Sequence, residues 1–290
     1  MMTAPVAGGL IQATDGERRR PARGGTATRP REIAAGVACL PVLGSNVYFV
    51  RSGLAWVLID TAWPKCDDTI RQAAAVLFGA NSAPAAILLT HAHPDHSGSA
   101  DRLARFWGCP VYVHADEVPI AAPADLATIE RYANPLDRWP ILPVLRAMPR
   151  RWVASSLAGA TLREYLRAFE PGPGVPGLPD WLWIATPGHS PGHVAYFRPR
   201  DRVLITGDAV LTVDINSVWG WVVWGLGLNR PGLFLPPWYT NSDQRRARLS
   251  IAVLAGLQPR VLATGHGPPL LGQNLAGELR AFAQRVTRAP

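Results

Sequence analysis

Thiol chemistry is scarce in this sequence. Its three cysteines, Cys39, Cys66 and Cys109, are far apart and odd in number. With no C-x-x-C pair, neither a disulfide framework nor a thiolate zinc site is indicated, and small apolar core residues are the expected role. Charge is sparse too: 17% of residues are charged against 48% apolar, the balance of a folded globular chain. Long apolar runs are missing. The most apolar stretch, Val218 to Leu228, is short and broken by glycine, whereas a bilayer span needs roughly 20 apolar residues. The N-terminus shows no secretory apolar core, and the Arg18-Arg19-Arg20 run is not followed by one, so a twin-arginine export signal fails. A soluble cytoplasmic protein without stable membrane insertion is the expectation.

The net charge is +8, but its distribution matters more than its size. Residues 1–32 hold six arginines against three acids, in a segment rich in Ala, Gly, Thr and Pro with no apolar period. That segment is expected to be a disordered tail. The remaining excess is scattered arginine rather than a basic stripe interleaved with aromatics, so no nucleic-acid partner is expected.

From residue 33 to residue 290 the pattern is that of one α/β domain. Val47–Val50 and Ala55–Ile59 flank a Gly53 turn and read as a hairpin ending on Asp60-Thr61. Thr69–Gly79 reads as a helix, Ala86–Leu89 as a buried strand, Ser99–Phe106 as a helix and Val111–Val113 as a strand. Between 117 and 180 the rhythm changes. Helical segments at Ala124–Tyr132 and Leu157–Phe169 alternate with proline-rich pieces, ending in the run Pro171 to Pro179, which suits a surface loop; an insertion or cap is expected here. Strands resume at Leu182–Ile184, Val194–Phe197 and Val203–Ile205. A helix over Asp243–Leu257, a strand at Val261–Ala263 and a helix over Leu275–Val286 close the chain.

Histidine placement is the main chemical signal. Six of the seven histidines fall at three places: His91, His93 and His96; His189 and His193; and His266. Each follows a short apolar strand and is flanked by Gly, Pro or Thr, the marks of a strand-end loop where a rigid sheet fixes ligands and leaves room for substrate. His91 and His93 are two apart, so on extended backbone both point the same way and can grip one ion. Asp95 and His96 come as the chain turns into a helix starting near Ser97, which aims them elsewhere. Imidazole and carboxylate donors without thiolate suit zinc, iron or manganese.

Thr90-His91-Ala92-His93-Pro94-Asp95-His96-Ser97-Gly98 resembles the H-x-H-x-D-H signature of the metallo-β-lactamase superfamily. Leu58-Ile59-Asp60-Thr61, the block Thr186 to His193, Gly207-Asp208-Ala209 and Thr264-Gly265-His266-Gly267 resemble the family's further motifs, in the expected order. The resemblance implies an αββα sandwich of two face-to-face sheets with helices outside. It further implies that His91, His93 and His189 bind a first metal, that Asp95, His96 and His266 bind a second, and that Asp208 bridges them. Asp60 and His193 are expected to support these ligands from behind, and His114 to be structural or exposed. The implied activity is that of a two-metal hydrolase holding a hydroxide between two divalent ions, zinc first and iron or manganese as alternatives, with Asp95 handling the proton.

Departures from the family pattern narrow the substrate. Ala62 stands where the early motif carries glycine, and a small backbone adjustment is expected. The aspartate at 208 disfavours antibiotic hydrolysis as the main activity, and a histidine at 93 disfavours the flavodiiron branch. What remains is cleavage of a thioester, lactone or ester in a small acyl substrate; a mononuclear-iron sulfur dioxygenase and a phosphodiesterase are the alternatives. A non-enzymatic binding relative is disfavoured by the complete ligand set. The aromatic connection from Val218 to Trp224, with Phe234, Trp238 and Tyr239, has three open uses: an acyl pocket, plain core, or the face of a homodimer.

Overall fold

The computed structural model describes residues 29–148, 162–169, 172, 174–217, 219–220, 222, 226, 228 and 230–288. The tail expected over 1–32 falls outside these residues up to 28, and its last two residues already belong to the first strand.

Alternation along the strands sorts side chains between two faces, because successive residues of extended backbone point opposite ways. In β2 (Val37–Val42), β3 (Ser45–Ser52) and β4 (Ala55–Ile59), Leu40, Val47, Phe49, Trp56 and Leu58 face one apolar cluster, while Val37, Tyr48, Val50, Val57 and Ile59 face another. Strands buried on both faces are central strands, which is why these runs read as nearly continuous apolar sequence. They lie in a seven-stranded sheet with β1 (Arg31–Ala34), β5 (Ala86–Leu88), β6 (Val111–Val113) and β7 (Leu166–Ala168), in sequence order. Its β1 to β4 pair antiparallel and β4 to β7 parallel.

The second sheet is built from β8 (Gly174–Val175), β9 (Leu178–Ala185), β10 (Val194–Arg198), β11 (Val203–Gly207), β12 (Val261–Thr264) and β13 (Leu270–Leu271). These six strands lie in the order β13-β12-β11-β10-β9-β8. Of the pairs, only β11–β12 is parallel. Tyr48, Ile59 and Leu88 from one sheet meet Val194, Tyr196 and Ile205 from the other in a shared core. Helices α1 (Asp67–Phe78) and α3 (Ala100–Trp107) cover the outer face of the first sheet through Ile70 and Leu103. A further pair, Gln244–Gly256 and Leu275–Arg288, covers the second through Ile251, Leu254, Leu279 and Phe282. The layers are therefore α, β, β, α, as expected. Among the described residues no helix is long and apolar enough to cross a membrane.

Three local expectations are corrected. Leu157–Phe169 is not one helix: a short helical turn at Leu162–Tyr165 passes directly into β7, and 157–161 lie outside the described residues. The exposed edge of β6 supplies a parallel partner for Leu166–Ala168, and pairing overrides local helix propensity. The Pro171–Pro179 run is not simply a loop, because β8 and β9 pair across Pro176-Gly177, where Gly177 takes φ +75. Parts of the 117–180 stretch thus belong to the sheets. A separate short helix, α2 (Pro94–Ser97), precedes the helix expected from near Ser97, and Asp95 and His96 sit within α2.

Candidate metal centre

Catalytic groups in sheets of this kind gather beyond the carboxyl ends of parallel strands, where loops diverge. Asp60 follows β4, the His91–His96 loop follows β5, Asp208 follows β11 and His266 follows β12. His189 and His193 come from the turn joining β9 to β10.

Two donor clusters form at this end. His91, His93 and His189 make one; Asp95, His96, Asp208 and His266 make the other, each with ligand atoms within 4.8 Å of one another. Asp208 faces both: its carboxylate lies 3.4 Å from His96 Nε2, 3.2 Å from His266 Nε2 and 3.5 Å from His189 Nε2. Asp95 lies 3.1 Å from His266 Nε2. Every position expected to hold metal is therefore in one of the clusters.

The hydrogen bonds behind the imidazoles show which nitrogen is free. His96 Nδ1 donates to Asp60 at 2.9 Å. The Thr90 hydroxyl also donates to Asp60, at 2.9 Å, so its oxygen is left to accept from His91 Nδ1 at 3.0 Å. His189 Nδ1 donates to Asn241 Oδ1 at 2.9 Å, and His266 Nδ1 to the Gly44 carbonyl at 3.0 Å. With a proton fixed on Nδ1, all four turn Nε2 inward, the nitrogen a metal would take. Nε2 of His91, His96 and His189, together with Asp208 Oδ1, is buried and has no hydrogen-bond partner. Buried polar atoms rarely go unsatisfied, and this donor set fits a pair of divalent cations.

Electrostatics agree. Burial, reinforced by the neighbouring histidines, holds His91 well below the ordinary imidazole value and His189 down to about 4, so these ligands stay neutral. Burial opposes charge on His96 and His266 as well, but Asp208 and Asp95 outweigh it. They raise His96 well above its ordinary value and His266 to about 10. The same histidines hold Asp95 and Asp208 ionised against the opposing effect of burial. The second cluster thus draws positive charge to itself.

His193 points no nitrogen into either cluster. Its Nε2 accepts from the Asp208 N–H at 3.0 Å and its Nδ1 meets Thr186 Oγ1 at 2.7 Å, so it steadies the backbone of the shared aspartate. Asp60 accepts the His96 Nδ1 proton from φ +60, strain of the kind concentrated at functional sites. Ala62 also takes a positive φ, +53, while fully buried. Alanine thus holds a left-handed conformation that glycine takes with less strain. Close approach makes Gly265 necessary, since a Cβ there would collide with Asp208 Oδ1. His114 is half-buried and accepts from the Asp116 N–H at 3.2 Å, away from both clusters.

Three contributors carried no sequence signal. Glu117 is fully buried and accepts the Ala92 N–H and the Gly192 N–H, both at 2.8 Å, tying the two loops that bear the first cluster. Asn241 and the Gly44 carbonyl orient His189 and His266.

A family description, the metallo-beta-lactamase superfamily, matches residues 40–266. The probable metallo-hydrolase YflN of Bacillus subtilis (strain 168) is 35% identical over 261 residues, covering 88% of this chain and 93% of that protein. Among solved structures, the metallo-beta-lactamase family protein TTHA1429 from Thermus thermophilus is similar with a TM-score of 0.58 and 22% identity, covering 88% of this chain and 81% of that one. TTHA1623, solved in a di-iron-bound form, is similar with a TM-score of 0.50 and 27% identity, covering 82% of this chain and 95% of its own. With both donor clusters at the expected sheet end, the chain belongs to the metallo-beta-lactamase superfamily and is a metal-dependent hydrolase of that family.

Proposed function

We propose that this hydrolase holds two divalent ions and cleaves an ester-type bond (thioester, lactone or ester) in a small acyl substrate. The observation that carries the reading is Asp208, whose carboxylate is within 3.5 Å of Nε2 donors from both clusters. His91, His93 and His189 would hold one ion, Asp95, His96 and His266 the other, and Asp208 would serve both. Bound there, the ions supply a water ionised near neutral pH and a Lewis acid for the carbonyl oxygen. Imidazole and carboxylate donors without thiolate suit zinc, iron or manganese, and one similar solved protein carries two irons.

Asp95 is the residue placed to move the proton. It lines the cavity outside the clusters and keeps some solvent exposure. Its carboxylate, held ionised by His96 and His266, would accept a hydrogen bond from the attacking water and pass the proton on to the departing sulfur or oxygen.

The test is metal analysis of protein purified without added metal, with a panel of thioesters, lactones, esters and phosphodiesters. Two ions per chain and cleavage of an ester-type substrate are expected, with Asp208→Ala losing at least one ion and turnover. An Asp208→Ala variant with both ions and full turnover would refute the bridging role. One iron with oxygen uptake would point to sulfur dioxygenation instead, and cleavage of phosphodiesters alone to a phosphodiesterase.

A further inference from the structure

The centre opens into a cavity of about 290 Å³. Beyond the ligands its wall is largely hydrocarbon, built by Leu43, Trp63, Leu136, Ile215 and Pro237. Three of these stand in solvent to a degree unusual for large apolar side chains: Leu43 is 75% exposed, Leu136 43% and Trp63 41%. One exposed leucine means nothing by itself. Three from separate segments, converging on the mouth of one cavity, mark a surface that expects an apolar ligand.

Leu43 is the most informative of them. It occupies the β2–β3 turn at φ +47, a left-handed conformation that Gly, Asn or Asp takes with less strain than leucine. The next residue, Gly44, accepts the His266 Nδ1 proton at 3.0 Å. A single turn therefore orients a ligand and holds a hydrocarbon side chain at the cavity beside it. The polar wall residues are largely engaged with each other: Asn134 Oδ1 accepts the Asp137 N–H at 2.9 Å, and Asp137 Oδ2 accepts the Asn134 N–H at 3.3 Å. Among the described residues no lysine or arginine lines the cavity. A substrate arm bearing phosphate or carboxylate would thus find no cationic partner along this wall.

We propose that the substrate presents an alkyl chain to Leu43, Trp63, Leu136 and Ile215, with its reacting group at the centre. The bond cleaved rests on the hydrolase reading above; the alkyl wall does not. Of the residues of the aromatic connection, Tyr239 lines this cavity, with Ile215 from the segment before it. Phe234 packs against Leu211, Val213 and Ile215 behind them, while Trp219 and Trp238 are exposed rather than core. Val218, Trp221, Val223 and Trp224 lie outside the described residues.

The experiment measures dissociation constants of the metal-loaded full chain for straight-chain carboxylates from butanoate to decanoate, by calorimetry and tryptophan fluorescence. Affinity is expected to rise roughly fourfold per added methylene, until the chain outgrows the cavity. Leu43→Asn suits the left-handed turn and should keep the metal content, yet flatten this dependence; Leu136→Asn should flatten it independently. Affinity independent of chain length, or an unchanged slope in both variants, overturns the proposal. So does a stable dimer that binds no alkyl chain, since a second copy would then cover the apolar rim. A chain-length slope without ester cleavage would remove the ester-cleavage reading and leave the alkyl wall standing. Ester cleavage without a slope would do the reverse.

Discussion

Glu117→Gln tests whether the first cluster is held together from behind. The Glu117 carboxylate is fully buried and receives one N–H from Ala92, between His91 and His93, and one from Gly192, three residues beyond His189. A net hydrogen bond to a charged group contributes roughly 1.5–3 kcal/mol, and a buried donor left unpaired costs about 1–3 kcal/mol. Glutamine has the same shape but a single acceptor oxygen. It can keep one of the two bonds, and its amide group must then face the other N–H. The expected destabilisation is ~2–4 kcal/mol, a sizeable part of a total stability of roughly 5–15 kcal/mol. Urea titration of the metal-free protein should show a lower midpoint at unchanged slope. Competition with a chelator should show the first ion bound about 10- to 100-fold more weakly, the usual consequence of losing support behind metal ligands. Because Asp95, His96 and His266 do not touch Glu117, the second ion should be less affected. Stability and both affinities indistinguishable from the parent would refute the idea that this carboxylate joins the two loops. Parallel weakening of both ions would show that Glu117 serves the fold generally and not the first cluster.

Two further outcomes follow from the same geometry. The metal-free protein should lose stability on mild acidification, because His189 is depressed to about 4 and His91 and His193 lie well below the ordinary 6.5. A depressed histidine leaves the unfolded chain holding more protons below pH 6.5, so its contribution is full above 6.5 and fades as pH falls towards 4. Each such group gives up to ~1.4 kcal/mol per pH unit in that window; His96 and His266 are raised instead and oppose the loss only above 6.5, so the urea midpoint should fall from pH 6 to pH 5, and a rise there would contradict the buried neutral assignment. Gly265→Ala should leave the fold intact but displace Asp208 and crowd His96, whose Cε1 would lie 2.7 Å from the new methyl. Metal content and turnover should fall together while circular dichroism is unchanged, and retention of both ions would show that the loop can give way.

The ligands were legible because metal binding leaves dense local marks. His91, His93, Asp95 and His96 fall within six residues after an apolar strand, and the strands themselves alternate or run fully apolar. Of the groups behind the ligands, Asp60 and His193 were read from the motifs, whereas Glu117 and Asn241 were not, because their partners are backbone groups or distant in sequence. Glu117 is 25 residues from Ala92 and 75 from Gly192, and it binds N–H groups that nearly every residue possesses. Asn241 is 52 residues from His189. Leu166–Ala168 failed as a strand for a different reason: nothing in Leu-Arg-Ala favours extension until the open edge of β6 is available. At Ala62 a buried alanine holds φ +53, a conformation its surroundings must impose.

Substrate choice was the least legible part, and the physical reason lies in what each function demands. A metal fixes the identity of its donors, their direction and the group behind each one, so its ligands appear as motifs. An apolar wall asks only for hydrocarbon bulk in roughly the right place, and Leu43, Trp63, Leu136, Ile215 and Pro237 supply it from separate loops with no shared pattern. Such walls can be exchanged while the ligands stay, because Asp60, Thr90 and Asn241 hold His96, His91 and His189 without taking part in the apolar lining. The turn at Leu43-Gly44 is the exception. There one backbone carbonyl orients His266 while the neighbouring side chain lines the cavity. Changes that shift the backbone of that turn should move affinity for the second ion and chain-length preference together, whereas changes at Leu136 should move preference alone.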